Sequence, residues 1–304
     1  MNEETTERAT KCGYVALVGE PNAGKSTLLN QCVGQKIAIV TPKAQTTRNR
    51  ILGVCIEDKT QIVFVDTPGI FSAKEKFEQA MVSAAFSGAK DADIVLLIVD
   101  VNRGLRKNLE NILEKISTLP ARKILVLNKI DSMPRDQLLP LAEKIFAKAE
   151  FERSFMISAL KGYGVEDVKK WLAEQLPVGH WLFPEDHLTD VPMRSLAAEI
   201  TREKIFMRLN EELPYQMAVE TESWDEKADG SIRISQVVYV RSEGHKKMVV
   251  GTGGQMLKAI GQSARRELEK LLDKKVHLFL FVKLTENWKD NPEFYNSIGL
   301  EYKK

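Results

Sequence analysis

The chain is poor in the residues that would staple it, anchor it or give it a charge of one sign. Its 304 residues include three cysteines, Cys12, Cys32 and Cys55, with no C-x-x-C pair among them. That excludes a disulfide framework and fits a reducing compartment. The four histidines, His180, His187, His245 and His277, form no cluster with cysteine at zinc spacing and read as surface or packing residues. The longest uninterrupted apolar run, residues 94–99, is six residues long, against the ~18 that a membrane-crossing helix needs. Residues 1–11 carry no apolar stretch, so a signal peptide is not expected. Lys+Arg at 44 nearly balances Asp+Glu at 42, so any polyanionic partner has to be met by a local cluster rather than by net charge. What remains is an ordinary globular composition, 43% hydrophobic, in a chain long enough to bury one large core or two smaller ones.

The periodicity changes part-way along. Residues 13–18 read as a buried strand, followed by a glycine-containing turn and a helical stretch over 25–33. Strand-like runs at 51–56 and 61–65 are separated by Glu57-Asp58-Lys59-Thr60, which predicts a hairpin and therefore one antiparallel edge. Continuous apolar runs at 94–99 and 124–127, and a short one at 155–157, alternate with helical spacing at 105–119, 137–149 and 165–176. This alternation predicts an α/β domain over 11–177, a mostly parallel sheet with helices on both faces. Residues 178–192, proline-bearing and without a period, read as a linker. Then follows a different order. A helix spans 193–213 with Leu196, Ile200, Ile205 and Leu209 inward. Strands at 216–221 and 232–240 flank a turn at 228–230, then come a helix–turn–helix over 246–272 and a strand at 276–282. This is an α+β unit over 193–284, with a tail at 285–304. Met207, Met217 and Met256 read as core.

Motifs sit at the ends of the predicted strands. Gly19-Glu20-Pro21-Asn22-Ala23-Gly24-Lys25-Ser26-Thr27 matches G-x-x-x-x-G-K-[ST] between a strand and a helix. Glycine lets the backbone approach a phosphate, successive N–H groups form an anion nest, and the helix N-terminus adds partial positive charge. In that setting Lys25 reaches the β- and γ-phosphates and Ser26 holds Mg²⁺. Asp66-Thr67-Pro68-Gly69 closes an apolar strand. Its carboxylate suits Mg²⁺, and the Gly69 N–H suits the γ-phosphate. Asn128-Lys129-Ile130-Asp131 ends another strand. A carboxylate at Asp131 can accept both N1–H and the exocyclic amine of guanine, a donor pair adenine lacks, while the Lys129 stem covers the base and Asn128 ties loops together. Ser158-Ala159 follows the last strand and would offer a backbone N–H to guanine O6. Thr46 and Thr47, in the polar stretch between the first helix and the hairpin, include a candidate third Mg²⁺ oxygen, Thr47, engaged when a γ-phosphate is present.

The order of phosphate loop, Thr-Thr, DTPG, NKxD and Ser-Ala resembles the translation-factor-related GTPases. The second unit narrows the match. Gly251-Thr252-Gly253-Gly254 resembles the GxxG loop of a KH domain, and the order helix–strand–strand–helix–helix–strand resembles the type II KH arrangement. Together with a tail that starts Glu286-Asn287-Trp288, these features resemble the Era family of ribosome-assembly GTPases over residues 11–300. The resemblance implies GTP and GDP as ligands with Mg²⁺, and hydrolysis of GTP with Lys25, Thr47 and Gly69 at the reacting phosphate. It further implies binding of the 3′ end of 16S ribosomal RNA and a role in assembly of the small ribosomal subunit, by a monomer in the cytoplasm with peripheral membrane association permitted. RNA would be held by the GxxG loop with Lys246, Lys247 and Lys258, backed by Arg265, Arg266, Lys270, Lys274 and Lys275. Trp288, Phe294 and Tyr295 read as packing residues. Two departures stand out. Thr252 and Gly253 occupy positions where the family's loop usually carries a basic residue. Ile70 follows Gly69 where Ras-like enzymes place a water-orienting glutamine. In related GTPases without that glutamine, an asparagine at the position of Asn22 helps hold a potassium ion. An RNA adaptor whose nucleotide site is mainly structural stays open as the other reading.

Overall fold

The computed structural model describes residues 9–43, 46–47, 50–70, 76–209 and 217–285. They divide into two compact units. One runs up to Ile37 and resumes over Thr47–Asp190; the other comprises Ala38–Thr46 and the stretch from Val191.

The first unit is built on strands β1 (Lys11–Gly19), β2 (Ile51–Glu57), β3 (Thr60–Asp66), β4 (Ile94–Asp100), β5 (Arg122–Asn128) and β6 (Arg153–Ile157), in the order β2-β3-β1-β4-β5-β6. β2 pairs antiparallel with β3, and the remaining pairs are parallel. The helices are α1 (Lys25–Val33), α2 (Lys76–Lys90), α3 (Lys107–Ser117), α4 (Leu138–Phe146) and α5 (Val165–Gln175). Every residue of β3 and β4 is buried, as expected for strands with both faces covered. Alternate residues of the central strands (Ala16, Val18, Val95, Leu97, Val99) pack with Leu109, Ile112 and Leu113 of α3 and Leu141 and Ile145 of α4 in one apolar cluster. Buried positions 109, 112, 113 and 116 on α3 follow the helical stripe. Helix α2 has no counterpart in the sequence reading. Its buried positions Met81, Ala85 and Ala89 recur every four residues, but alanine carries too little hydropathy to announce a stripe.

The segment expected to be a linker is instead bonded to this unit along the β2 edge, and the compact units divide at Asp190 rather than at Pro177. Val54 N–H donates to the Leu188 carbonyl at 2.8 Å, Leu52 N–H to the Asp190 carboxylate at 3.0 Å, and the Thr189 hydroxyl to the Leu52 carbonyl at 2.7 Å. Further back, the fully buried Gln61 amide accepts from Leu182 N–H (2.9 Å) and Phe183 N–H (3.0 Å) and donates to the Phe183 carbonyl (2.8 Å). Trp181 and Phe183 pack on the cluster of Cys12, Leu52, Val54, Val63 and Val65. Covering an edge strand in this way removes a template for unwanted pairing.

In the second unit, α6 (Met193–Arg208), β7 (Met217–Glu226), β8 (Ile232–Val240), α7 (Glu243–Val250), α8 (Gln255–Leu272) and β9 (Val276–Leu284) build a sheet of order β7-β8-β9. β7 runs antiparallel to β8 and β9 parallel to it. Leu196, Ala197 and Ile200 of α6 meet Ile232, Ile234, Ala264 and Leu268 in one cluster, and Ile205 meets Met217, Val238, Val240 and Ile260 in another. β7 extends five residues beyond the expected strand; in Glu222 to Glu226 only Trp224 is apolar, and it packs half-buried on the first of these clusters, with a register shift between Thr221 and Ser223. Met207, expected in the core, is 51% exposed, whereas Met217 is fully buried. α6 is buried on more than one face, because Ala38–Thr46 belongs to this unit. Val40 N–H donates to the Glu203 carboxylate at 2.9 Å, the Arg202 guanidinium donates to the Thr46 carbonyl, and the Lys43 ammonium donates to the Leu209 carbonyl.

Replacing Gln61 by leucine keeps the volume but leaves the Leu182 and Phe183 N–H groups without their acceptor. A loss of about 1–3 kcal/mol is expected, read as a lower urea midpoint for the first unit.

Candidate functional site

Parallel pairing brings the carboxyl ends of β1, β3, β4, β5 and β6 to one side of the sheet, where α/β folds hold their ligands. The residues at these ends, Gly19, Asp66, Asp100, Asn128 and Ile157, frame the site. After β1 the chain turns through Asn22 (φ 63°) and Gly24 (φ 101°) into α1. A Cβ at Gly24 would lie 2.1 Å from the Asn128 side-chain nitrogen, and one at Gly69 would lie 2.7 Å from the Pro21 backbone, so both glycines are required by close approach, and Gly24 by its backbone angle as well.

Lys25 is buried, and its ammonium donates to the Gly19 and Glu20 carbonyls at 3.2 and 3.0 Å. Burial pushes its pKa down to about 8 against the opposing pull of Asp66 and Glu20. Asp66 is fully buried and accepts from the Ser26 hydroxyl at 2.5 Å, while Ser26 and Thr47 hydroxyls lie 2.9 Å apart. Burial pushes the Asp66 carboxyl up to about 6, opposed chiefly by Lys25 and by the Ser26 hydrogen bond. Its other oxygen, Oδ1, has no hydrogen-bond partner among the described residues. A buried carboxylate oxygen left over beside two hydroxyls is a hard-oxygen set, and it fits Mg²⁺. Ser26, Thr47 and Asp66 would hold the ion, which supplies charge neutralisation to phosphate oxygens. Thr27 follows on the first turn of α1.

Asn128 is 2% exposed. Its amide nitrogen donates to the Ala23 carbonyl at 2.8 Å and its oxygen accepts from Ala159 N–H at 2.9 Å. It therefore joins the phosphate loop to the Ser158-Ala159 loop, as expected. Thr67 ties the end of β3 to β1 through the Leu17 carbonyl at 2.8 Å. The Ser158 hydroxyl foremost, and Lys161 at 3.4 Å, hold the Asp131 carboxyl below the usual carboxylate range. Ile70 is buried in the apolar cluster beside β4 and donates its N–H to the Gly19 carbonyl at 3.1 Å; its side chain has nothing with which to orient water. Three residues escaped the sequence reading. Asn108 on α3 donates to the Glu20 carboxylate (2.7 Å) and to the Ile70 carbonyl (3.3 Å). Lys161 pairs with Asp131, and Asp100 accepts from the Lys129 ammonium at 2.7 Å. Asp100 carried a usable signal, for it ends an apolar strand just as Asp66 does.

The second unit presents its own candidate surface. α7 is capped by Ser242, whose hydroxyl accepts from His245 N–H. The chain then turns through Gly251, Gly253 and Gly254, all at positive φ (71°, 58°, 77°), into α8. A Cβ at Gly253 or Gly254 would meet nothing within 4 Å, so these glycines serve backbone angle and leave the turn open outward. Thr252, Lys247 and Lys258 are exposed, Lys246 is half-buried, and Arg265, Arg266, Lys270, Lys274 and Lys275 are exposed along and beyond α8. Trp288, Phe294 and Tyr295 lie outside the described residues. Among the described residues, no helix is long and apolar enough to cross a membrane.

Known proteins place these features in one lineage. The family described as 50S ribosome-binding GTPase matches residues 14–129, and the KH domain family matches residues 212–289. The chain is 54% identical to GTPase Era of Brucella suis over 98% of this chain and 96% of that protein, and 53% identical to GTPase Era of Mesorhizobium japonicum over 98% and 97%. A crystal structure of Era in complex with MgGDPNP and nucleotides 1506–1542 of 16S ribosomal RNA superposes with a TM-score of 0.91, at 41% identity, over 96% of this chain and 100% of that one. A variant of Aquifex aeolicus Era bound to GDP·AlF4⁻ matches equally, with a TM-score of 0.91 at 41% identity over the same shares. With near-full-length identity above one half and both domain families in the same order, the chain belongs to the Era family of GTPases.

Proposed function

We propose that this chain is a GTP-hydrolysing switch that binds the 3′ end of 16S ribosomal RNA through its KH unit and assists assembly of the small ribosomal subunit. The observation that carries the nucleotide half is the convergence of Lys25, Ser26, Thr47 and the unpartnered Asp66 oxygen at one end of the sheet. The relative solved with MgGDPNP and 16S ribosomal RNA supports both halves. The family description naming the 50S particle covers only residues 14–129, the nucleotide unit, and so carries no preference between subunits at the RNA-binding unit.

In this reading Gly19, Glu20, Pro21, Asn22, Ala23 and Gly24 wrap the phosphates with backbone N–H groups, and Lys25 reaches the β- and γ-phosphates. Giving up its two carbonyl acceptors for phosphate oxygens exchanges neutral partners for charged ones. Ser26, Thr47 and Asp66 hold Mg²⁺, and the Gly69 N–H faces the γ-phosphate. At the base end, Asp131 accepts two guanine hydrogen bonds, Lys129 covers the ring, and Ala159 N–H faces O6. Thr46 is held by Arg202 in the second unit's set of bonds, and the next residue, Thr47, by Ser26 in the first. Nucleotide-dependent access of the KH unit to RNA is part of the same reading. With Ile70 buried and apolar, the attacking water is oriented by another group. A cytoplasmic location fits this role, and peripheral membrane contact rests on the family resemblance alone.

Asp131→Asn tests the base pocket. Losing a hydrogen bond to a charged group amounts to about 1.5–3 kcal/mol, more than tenfold in affinity. GTP binding should fall accordingly and xanthosine triphosphate binding should rise; unchanged GTP affinity places the base elsewhere. Potassium beside Asn22 is part of the same proposal, since an added cation offsets charge developing at the phosphates. Hydrolysis should run faster in potassium than in sodium, with the difference erased in Asn22→Ala, and equal rates in the two salts remove potassium from the reading. The RNA half is tested by Thr252→Asp, alone and combined with Gly253→Asp, where open space receives the side chain but φ 58° strains any residue with a Cβ. Like charges against the RNA backbone should abolish binding of a 16S 3′-end oligonucleotide and leave basal GTP hydrolysis near normal. Tight binding by the double variant assigns RNA to another surface.

A further inference from the structure

The turn that carries Asp131 is held by a closed ring of polar contacts that no motif announces. β4 and β5 end side by side, with Asp100 opposite Asn128 in the parallel register. The chain leaves β5 through Lys129, at φ 67°, a conformation disfavoured for any residue with a Cβ. The ring accounts for its persistence. Lys129 Nζ lies 2.7 Å from Asp100 Oδ2. Asp100 Oδ1 accepts from the Asn102 backbone N–H at 3.1 Å and from its side-chain amide at 3.0 Å. That same amide donates to the Ser132 hydroxyl at 2.7 Å, and the hydroxyl donates to the Lys129 carbonyl at 2.6 Å. The Ser132 N–H donates to that carbonyl as well, at 3.0 Å, and Val101 N–H donates to the Asn128 carbonyl at 3.1 Å. Asp131 lies on the backbone that this ring encloses.

Asp100 is 6% exposed. Burial alone would raise its pKa, but the hydrogen bonds from Lys129 and Asn102 outweigh it and keep the carboxylate charged. Arg103 approaches the same carboxylate at 3.8 Å. An exposed ion pair fixes little, since both side chains keep their rotamers and solvent screens the charge. Here the carboxylate is buried and both its oxygens are engaged, which gives the Lys129 ammonium a fixed anchor. A recognition slot formed before its ligand arrives avoids the cost of ordering on binding.

We propose that Asp100, acting with Asn102 and Ser132, is a positioning residue for base recognition: it pre-forms the guanine slot by fixing Lys129 and the turn that carries Asp131. This rests on the guanine reading of Asp131. It differs from a merely structural role in predicting a change in base discrimination, and not only in stability.

The test uses the full chain and compares GTP with inosine triphosphate, which lacks the exocyclic amine that Asp131 accepts. In Asp100→Asn the carboxylate charge is lost at nearly constant shape. Affinity for GTP should fall about tenfold or more, the scale of one hydrogen bond to a charged group. The preference for GTP over inosine triphosphate should shrink, and the loss should appear in KM more than in kcat. Asn102→Ala and Ser132→Ala, both at exposed positions, should shift the same ratio in the same direction by smaller factors, and they decide the matter if Asp100→Asn does not fold. An unchanged ratio in all three variants overturns the proposal, as does a lowered melting temperature with base preference intact. Asp131→Asn is the control: if it abolishes the preference while the ring variants keep it, the ring is structural and the guanine reading stands. If Asp131→Asn also keeps the preference, the guanine reading itself fails.

Discussion

The nucleotide unit depends on one buried amide. Asn128 sits at the end of β5 with its nitrogen on the Ala23 carbonyl and its oxygen on the Ala159 N–H, so a single side chain holds the phosphate loop and the base loop at a fixed separation. An amide donates and accepts from one short planar group. The fit demands a glycine at position 24, where a Cβ would collide with the amide. Because the amide is buried, losing either partner would leave a polar group without water to replace it, and that penalty keeps both loops in place. Burial governs Asp66 as well, where a carboxylate oxygen without a hydrogen-bond partner among the described residues fits a hard cation.

The second unit handles charge differently. α6 buries Arg202 and Glu203, each 1% exposed, residues that seldom go inside unless paired. Their partners include the backbone of Ala38–Thr46, along with Glu199 for Arg202 and Lys204 for Glu203. By contrast the GTGG turn has no neighbours for a Cβ at Gly253 or Gly254, and its basic neighbours stay in solvent. Buried charge thus organises α6, while the charge around the glycine turn is mostly exposed.

Much of the first sheet was legible because its central strands are buried on both faces and read as unbroken apolar runs, three of them ended by a polar residue, Asp66, Asp100 or Asn128. β4 and β5 announce themselves this way, and helix α1 follows the glycine turn at its expected bounds. Helix α2 was not legible, since Met81, Ala85 and Ala89 make a stripe mostly of small side chains. The polar half of β7 was missed for a related reason: an exposed strand has no apolar alternation to show. Residues 178–192 read as a linker because their contacts are made by backbone groups and by irregularly spaced side chains, Trp181, Phe183, Thr189 and Asp190, which leave no periodic trace.

By itself the sequence determined the two-part architecture and the motifs proposed to meet phosphate, cation, base and RNA, because each of those motifs is a local matter: a glycine, a lysine or a carboxylate placed at a strand end or turn within a few residues. Only the tertiary structure decided which distant residues complete them. Asp100 meets Lys129, and Asn108 meets Glu20, because the strand ends and α3 converge at one edge of the sheet. Ala38–Thr46 falls to the second unit because Glu203 and Arg202, more than 150 residues away, satisfy its backbone. Hydrogen bonds between residues so far apart depend on how helices and strands pack, and a linear pattern records the period of each element but not the neighbour it will face.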